Sequence, residues 1–250
     1  MNSYIIDIDG TLLDGNTEIN SSKLFIEYLQ KTGIDFLLAT NSIKPHDKQV
    51  ERLKEIGIKV SQKKIYNPID SINKYIKRNK ICNVHVVGSK DEISQIKAIQ
   101  NTKSPELIIL LDFEKNNFSY RDLQIIVDYV NNGSSIITAS KSLFYLNKNK
   151  KQIDTGSFVN LIQSITGVSI PVLGKPSKEY FYNAQSILNS PINSTIVIGD
   201  DWKTDIIGAN EVGFGSILIR SGKYMLGDEK KGNPDHIINN LLDIGMSPID

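Results

Sequence analysis

Short apolar runs rich in Ile and Val alternate along this chain with stretches of helical period, and that alternation constrains the fold more than any other feature. The strand candidates are Tyr4–Ile8, Phe36–Thr40, Val84–Gly88, Leu107–Leu111, Ser135–Thr138, Thr195–Ile198 and Ser216–Ile219. Helical periodicity predicts helices over Ser21–Lys31, His46–Ile56, Ile69–Arg78, Ser119–Asn131, Gly156–Thr166, Glu179–Leu188 and Thr204–Val212. Five of these run into a glycine (Gly33, Gly57, Gly133, Gly167 or Gly213) that can take the left-handed conformation closing a helix. Leu107–Leu111 and Thr195–Ile198 are apolar with little alternation, the mark of strands covered on both faces. The expectation is an α/β protein whose core is a Rossmann-like, doubly wound parallel sheet.

Ligands in such sheets bind beyond the carboxyl ends of the strands. Three predicted ends carry unusual residues: Asp7 and Asp9 after the first, Thr40-Asn41 after the second, and Asp200-Asp201 after Thr195–Ile198. A fourth element, Gly174-Lys175-Pro176-Ser177, precedes a helix. Side chains two apart on an extended segment point the same way, so Asp7 and Asp9 can face one site. Unpaired carboxylates repel, and their gathering makes sense around a hard divalent cation. Mg²⁺ characteristically takes one or two carboxylates and leaves positions for water and phosphate oxygens. Asp7, Asp9 and Asp200 are the expected metal ligands. With a phosphate drawn in, Asp7 is expected to attack phosphorus and form an aspartyl-phosphate, while Asp9 moves protons as acid and base. Lys175 offers positive charge to the phosphoryl oxygens, and Thr40 and the Asn41 backbone offer hydrogen bonds. Asp205 is expected to orient the metal's water ligands or Lys175 from behind, and Asp201 to reach the metal through water. Thr204 is expected to cap the following helix.

These residues resemble the motifs of the haloacid dehalogenase superfamily phosphatases. The first motif stands as Asp7-Ile8-Asp9-Gly10-Thr11, the second as Thr40-Asn41-Ser42, the third as Lys175, and the fourth as Gly199-Asp200-Asp201-Trp202-Lys203-Thr204-Asp205. The resemblance places Gly10 in the phosphate-binding loop. Some 130 residues separate Asn41 from Lys175, room for a second domain inserted after the second motif. Val86-Val87-Gly88, Leu107–Leu111, Asn131-Asn132-Gly133 and Gly156 resemble the α/β cap of the NagD-like branch, class IIA. The expected organisation is therefore a catalytic core from 1–79 and 171–250, with a cap from 80–170. The resemblance implies Mg²⁺-dependent hydrolysis of small phosphomonoesters, such as sugar phosphates or nucleotides. A cap of this kind excludes water and selects the leaving group. Ala139-Ser140-Lys141 departs from the Asn-x-Asp that often follows the equivalent cap strand, which leaves the physiological substrate open. Lys141, Lys148, Lys150 and Lys151 make that side basic and could favour a second anionic group on the substrate. A phosphotransferase of the same superfamily would use the same residues on an alcohol acceptor. A phospho-receiver module shares the acid, hydroxyl and lysine chemistry, but it is a single doubly wound domain of roughly half this length with no inserted cap.

Composition narrows the partners. The 29 basic and 28 acidic residues nearly balance, so no global field favours nucleic acid or an anionic membrane. The single cysteine, Cys82, cannot form an internal disulfide, and there is neither a basic-then-apolar leader nor a long apolar run. A cytoplasmic enzyme acting on a small phosphate ester is expected. Cap surfaces in such proteins often dimerise, which leaves a homodimer open. His46, His85 and His236 lack metal-ligand spacing, and Trp202, the only tryptophan, falls inside the fourth motif.

Overall fold

The computed structural model describes residues 2–114, 118–147 and 150–245, so Lys148 lies outside the described residues. The chain divides into two units, one of Met1–Thr40, His46–Asn67 and Lys175–Asp250, the other of Asn41–Pro45 and Pro68–Gly174.

The first unit is built on a six-stranded sheet in the order His236–Ile238, Gly215–Ile219, Thr195–Gly199, Ser3–Ile6, Phe36–Ala39, Ile65–Tyr66. Every pairing in it is parallel, with Tyr4 opposite both Ile196 and Phe36. Period-two alternation sorts the side chains of the strands. Tyr4, Ile6, Leu38 and Ile198 join one buried cluster with Phe25, Ile26 and Leu29 of the helix Ser22–Thr32. Ile5, Leu37 and Val197 join a second cluster with Tyr180, Phe181 and Ala184 of the helix Lys178–Gln185. Burial on both faces explains why these strands read as unbroken apolar runs. Asp7 shares its parity with Ile5 and still donates its N–H to Ile198 O at 2.9 Å, so its carboxylate leaves the sheet on the side of the second cluster.

The second unit has a four-stranded parallel sheet in the order Ile99–Gln100, Asn83–Val87, Leu107–Leu110, Ser135–Thr138. Leu107, Ile109 and Leu111 face one cluster, Ile108 and Leu110 the other. A separate antiparallel hairpin pairs Phe144–Asn147 with Lys150–Ile153. The helix Pro68–Arg78, grouped with the core on sequence, buries Ile69, Ile72 and Ile76 in the same cluster as Val84, Val86 and Ile109. Its apolar stripe fits the second sheet, and the chain crosses between units four times, at Thr40–Asn41, Pro45–His46, Asn67–Pro68 and Gly174–Lys175. Lys141, Lys150 and Lys151 are exposed here, and Cys82 is exposed. Among the described residues no helix is long and apolar enough to cross a membrane.

Candidate active site

The first unit gathers its chemistry at the carboxyl ends of neighbouring strands. Asp7, Asp200 and Asp205 are all buried, with one carboxylate oxygen of each within 4.8 Å of the others. Lys175, only 4% exposed, stands among them: its Nζ donates to Asp7 Oδ1 at 2.5 Å, to Asp205 Oδ1 at 2.6 Å and to the Ala39 carbonyl at 3.2 Å. Asp200 follows the strand Thr195–Gly199 directly, and Asp205 lies on a π-helical turn, Trp202–Ile206, that leads into the helix Ile207–Val212. Such turns recur at functional sites because the extra residue re-aims a side chain. Here the turn presents Asp205 to Lys175. The side chain that caps the turn is Asp201, whose carboxylate accepts from Lys203 N–H at 3.0 Å. The expectation that Thr204 is the cap is corrected: Asp201, three residues earlier, meets the first unsatisfied N–H groups, and Thr204 N–H itself donates to Asp201 O.

Burial dominates the electrostatics. It pushes the Asp7 carboxyl well above its ordinary value, and although Lys175 opposes the rise, Asp205 and Asp200 reinforce it. Asp205 is raised by burial against the pull of Lys175. Asp200 is raised to about 6 by burial and then by Asp205, with the Lys223 N–H resisting. Burial would by itself drive the Lys175 ammonium down, but Asp205 and Asp7 outweigh it and hold Lys175 well above its usual range. Lys175 pairs with Asp7 and Asp205, and the Lys223 ammonium, itself bound to Asp201, only partly offsets Asp200, so negative charge is left uncompensated. Among the described residues, Asp7 Oδ2 is buried with no hydrogen-bond partner. Three hard oxygen donors, an orphaned acceptor and raised carboxyls fit a hard divalent cation rather than a soft one.

The structure brings together Asp7, Lys175, Asp200 and Asp205. It does not bring the Asp9 carboxylate into that group. Asp9 Oδ1 accepts from Arg52 Nη2 at 2.8 Å and Oδ2 from Thr40 Oγ1 at 3.3 Å, so Asp205, not Asp9, completes the buried trio. The reason is local: the chain turns immediately after Ile8, with Gly10 at φ +98°, and the strand's side-chain alternation no longer governs Asp9. Gly10 packs against the Asp200 carboxylate, and a Cβ there would overlap it. Thr40 is buried beside the second strand, and its carbonyl accepts from the buried Tyr180 hydroxyl at 3.0 Å. Asn41 falls in the second unit, where it neighbours Gly174. Asp201 accepts from Lys223 Nζ at 3.2 Å.

Two contributors were not legible in the sequence. The Lys223 N–H donates to Asp200 Oδ2 at 2.6 Å, from the loop after Gly215–Ile219. In that loop Gly222 has φ +54° and a Cβ would meet Asp200 Oδ2 and the Gly10 backbone, so glycine is required twice over. The second contributor is Arg52. The Gly-Lys pair after an apolar strand is the only local signal for the first, and Arg52 offers none.

Known proteins resemble the chain over most of its length. Residues 4–101 match a haloacid dehalogenase-like hydrolase family, and residues 172–244 match a second, HAD-hydrolase-like family. Asp7 and Asp9 lie in the first segment, and Lys175, Asp200 and Asp205 in the second. The chain belongs to the haloacid dehalogenase-like hydrolases. Relatives include haloacid dehalogenase-like hydrolase domain-containing protein 2 of Mus musculus, 25% identical and aligned over 97% of this chain and 98% of that protein. The acid sugar phosphatase of Staphylococcus aureus is 26% identical over 92% of this chain and 91% of its own. The 5'-nucleotidase YutF of Bacillus subtilis is 23% identical over 96% of each. The fold is that of NagD from Escherichia coli K-12 (TM-score 0.89, 21% identity, 98% of both chains) and of a 4-nitrophenylphosphatase from Thermotoga maritima (TM-score 0.90, 21% identity, 98% of this chain and 96% of that one).

Proposed function

We propose that the protein is a Mg²⁺-dependent phosphatase of small phosphomonoesters that works through an aspartyl-phosphate on Asp7. The observation that carries this reading is the buried Lys175 bridging Asp7 and Asp205 beside Asp200. A carboxylate held at 2.5 Å from an ammonium, with its second oxygen unpartnered, is fixed in place yet keeps a free lone pair for attack. Asp7 and Asp200 would hold the cation, which supplies positive charge to the phosphoryl oxygens. Asp7 Oδ2 attacks phosphorus as the bond to the ester oxygen breaks, and Asp9 gives that oxygen its proton. Asp9 then takes a proton from water as the water oxygen attacks phosphorus, and Asp7 is released with orthophosphate. Lys175 keeps its charge throughout and offsets the charge on the transferring group. Asp205 holds the amine in place. Thr40, already within reach of Asp9, is positioned to donate to a phosphoryl oxygen.

Relatives named for nucleotide and sugar phosphate hydrolysis support small phosphate esters as the substrate class. The test is phosphate release from 4-nitrophenyl phosphate and a panel of metabolite phosphates, with and without Mg²⁺. Asp7→Asn should abolish turnover while circular dichroism shows an intact fold. Normal activity in that variant would overturn the mechanism. Adding an alcohol acceptor and analysing products separates hydrolysis from phosphoryl transfer.

A further inference from the structure

We propose that Arg52 is a positioning residue for proton transfer, fixing the carboxyl of Asp9 and tying it to the hairpin that follows. Three separate segments present acceptors to this one guanidinium. Nη2 donates to Asp9 Oδ1 at 2.8 Å and to the Gly15 carbonyl at 2.9 Å, and Nη1 donates to Gln49 Oε1 at 3.0 Å. Gln49 is fully buried on the same helix, His46–Glu55, and sets the angle of the fork. Gly15 forms the turn of the hairpin pairing Leu13–Asp14 with Thr17–Glu18.

Exposure shows which partner is the anchor. The Asp9 side chain is 45% exposed and would sample several rotamers alone, whereas that of Arg52 is 15% exposed and held from both ends. The rigid guanidinium meets these acceptors from two nitrogens held in one plane, Nη1 on Gln49 and Nη2 on Asp9 and Gly15, whereas a lysine would have to reach all of them from a single, freely rotating nitrogen. Arg52 occupies Oδ1 and leaves Oδ2, beside Thr40 Oγ1, as the oxygen that exchanges the proton. Proton transfer depends steeply on such orientation. Among the described residues Arg52 makes no other side-chain hydrogen bond, and its helix serves the core through Leu53 and Val50.

This inference rests on Asp9 as the acid, and leaving-group dependence tests the two separately. The parameter kcat/KM covers steps through departure of the alcohol, the step an acid assists. An alkyl phosphate needs that proton, and 4-nitrophenyl phosphate, with its stable phenolate, hardly does. Arg52→Gln should lower kcat/KM for an alkyl phosphate about tenfold more than for 4-nitrophenyl phosphate, a part of the 100-fold or greater worth of a general acid. Guanidinium chloride at millimolar concentration should restore part of the loss in Arg52→Ala. If Arg52→Gln does not fold, Arg52→Lys carries the same test, because it keeps the charge and the helix while losing the fork. Equal losses on both substrates, or no loss, would overturn the proposal. Asp9→Asn is the control: a leaving-group bias there without one at Arg52 removes the role of Arg52 alone. No bias in Asp9→Asn removes Asp9 as the acid, and the inference with it.

Discussion

Chelation of divalent ions should make the stability of this protein depend on pH in an unusual direction. Asp200 has an ordinary value of 3.8 and is raised to about 6 in the fold, by burial and then by Asp205. A carboxyl whose folded value lies above its unfolded one binds protons more tightly when folded, so its contribution is complete below about pH 4 and is lost as pH rises through 6. For Asp200 alone the loss by neutral pH is roughly 3 kcal/mol. Asp7 and Asp205 are shifted the same way and add to it. At about 2–4 °C per kcal/mol for a chain of this size, Asp200 corresponds to about 6–12 °C in Tm. A divalent cation replaces the missing proton as counter-charge, so Mg²⁺ should raise Tm strongly at pH 7.5 and little at pH 5. The assay is thermal unfolding in EDTA and in millimolar Mg²⁺ at both values. Taking the Mg²⁺-induced difference at each pH cancels titrating groups remote from the cluster and leaves the response of Asp7, Asp200 and Asp205. Asp200→Asn should unfold at higher temperature than the wild type in EDTA at pH 7.5 and lose most of the Mg²⁺ response. An equal Mg²⁺ effect at the two pH values, or none, would refute the reasoning.

Further outcomes follow from the same geometry. Lys175→Met leaves Asp7 and Asp205 buried without their ammonium, and should cost about 3–5 kcal/mol in urea unfolding and abolish turnover; wild-type stability would contradict the burial argument. Gly222→Ala forces a side chain at φ +54° against Asp200 and Gly10, and should lower stability by more than about 1 kcal/mol and sharply weaken Mg²⁺ dependence, read by calorimetry and by phosphate release. Trp202 stands two residues from Asp200, between Lys203 and Lys231, so Mg²⁺ titration should change its fluorescence in the wild type and not in Asp200→Asn.

What the sequence revealed was whatever local pattern controls. Asp7 is placed by strand parity, Lys175 and Asp200 by their positions beside a helix start and a strand end, and the long apolar strands by sheets buried on both faces. What escaped it depends on tertiary contact. The edge strands Ile65–Tyr66 and His236–Ile238 are too short to show a period and exist because a neighbour supplies their hydrogen bonds. The stripe on Pro68–Arg78 announces burial without saying against which sheet. Parity predicts Asp9 beside Asp7 only while the backbone stays extended, and the turn at Gly10 hands its carboxylate to Arg52, 43 residues away. The grip of Lys223 on Asp200 is a backbone hydrogen bond, which a residue's identity does not encode.

The nucleophile can be observed directly. Wild-type protein mixed with 4-nitrophenyl phosphate and Mg²⁺, quenched in acid within milliseconds and digested for mass spectrometry, should carry the phosphoryl group on the peptide containing Asp7, with the label absent in EDTA. Product released with no modified peptide, or a phosphoryl group on any other residue, would contradict the account.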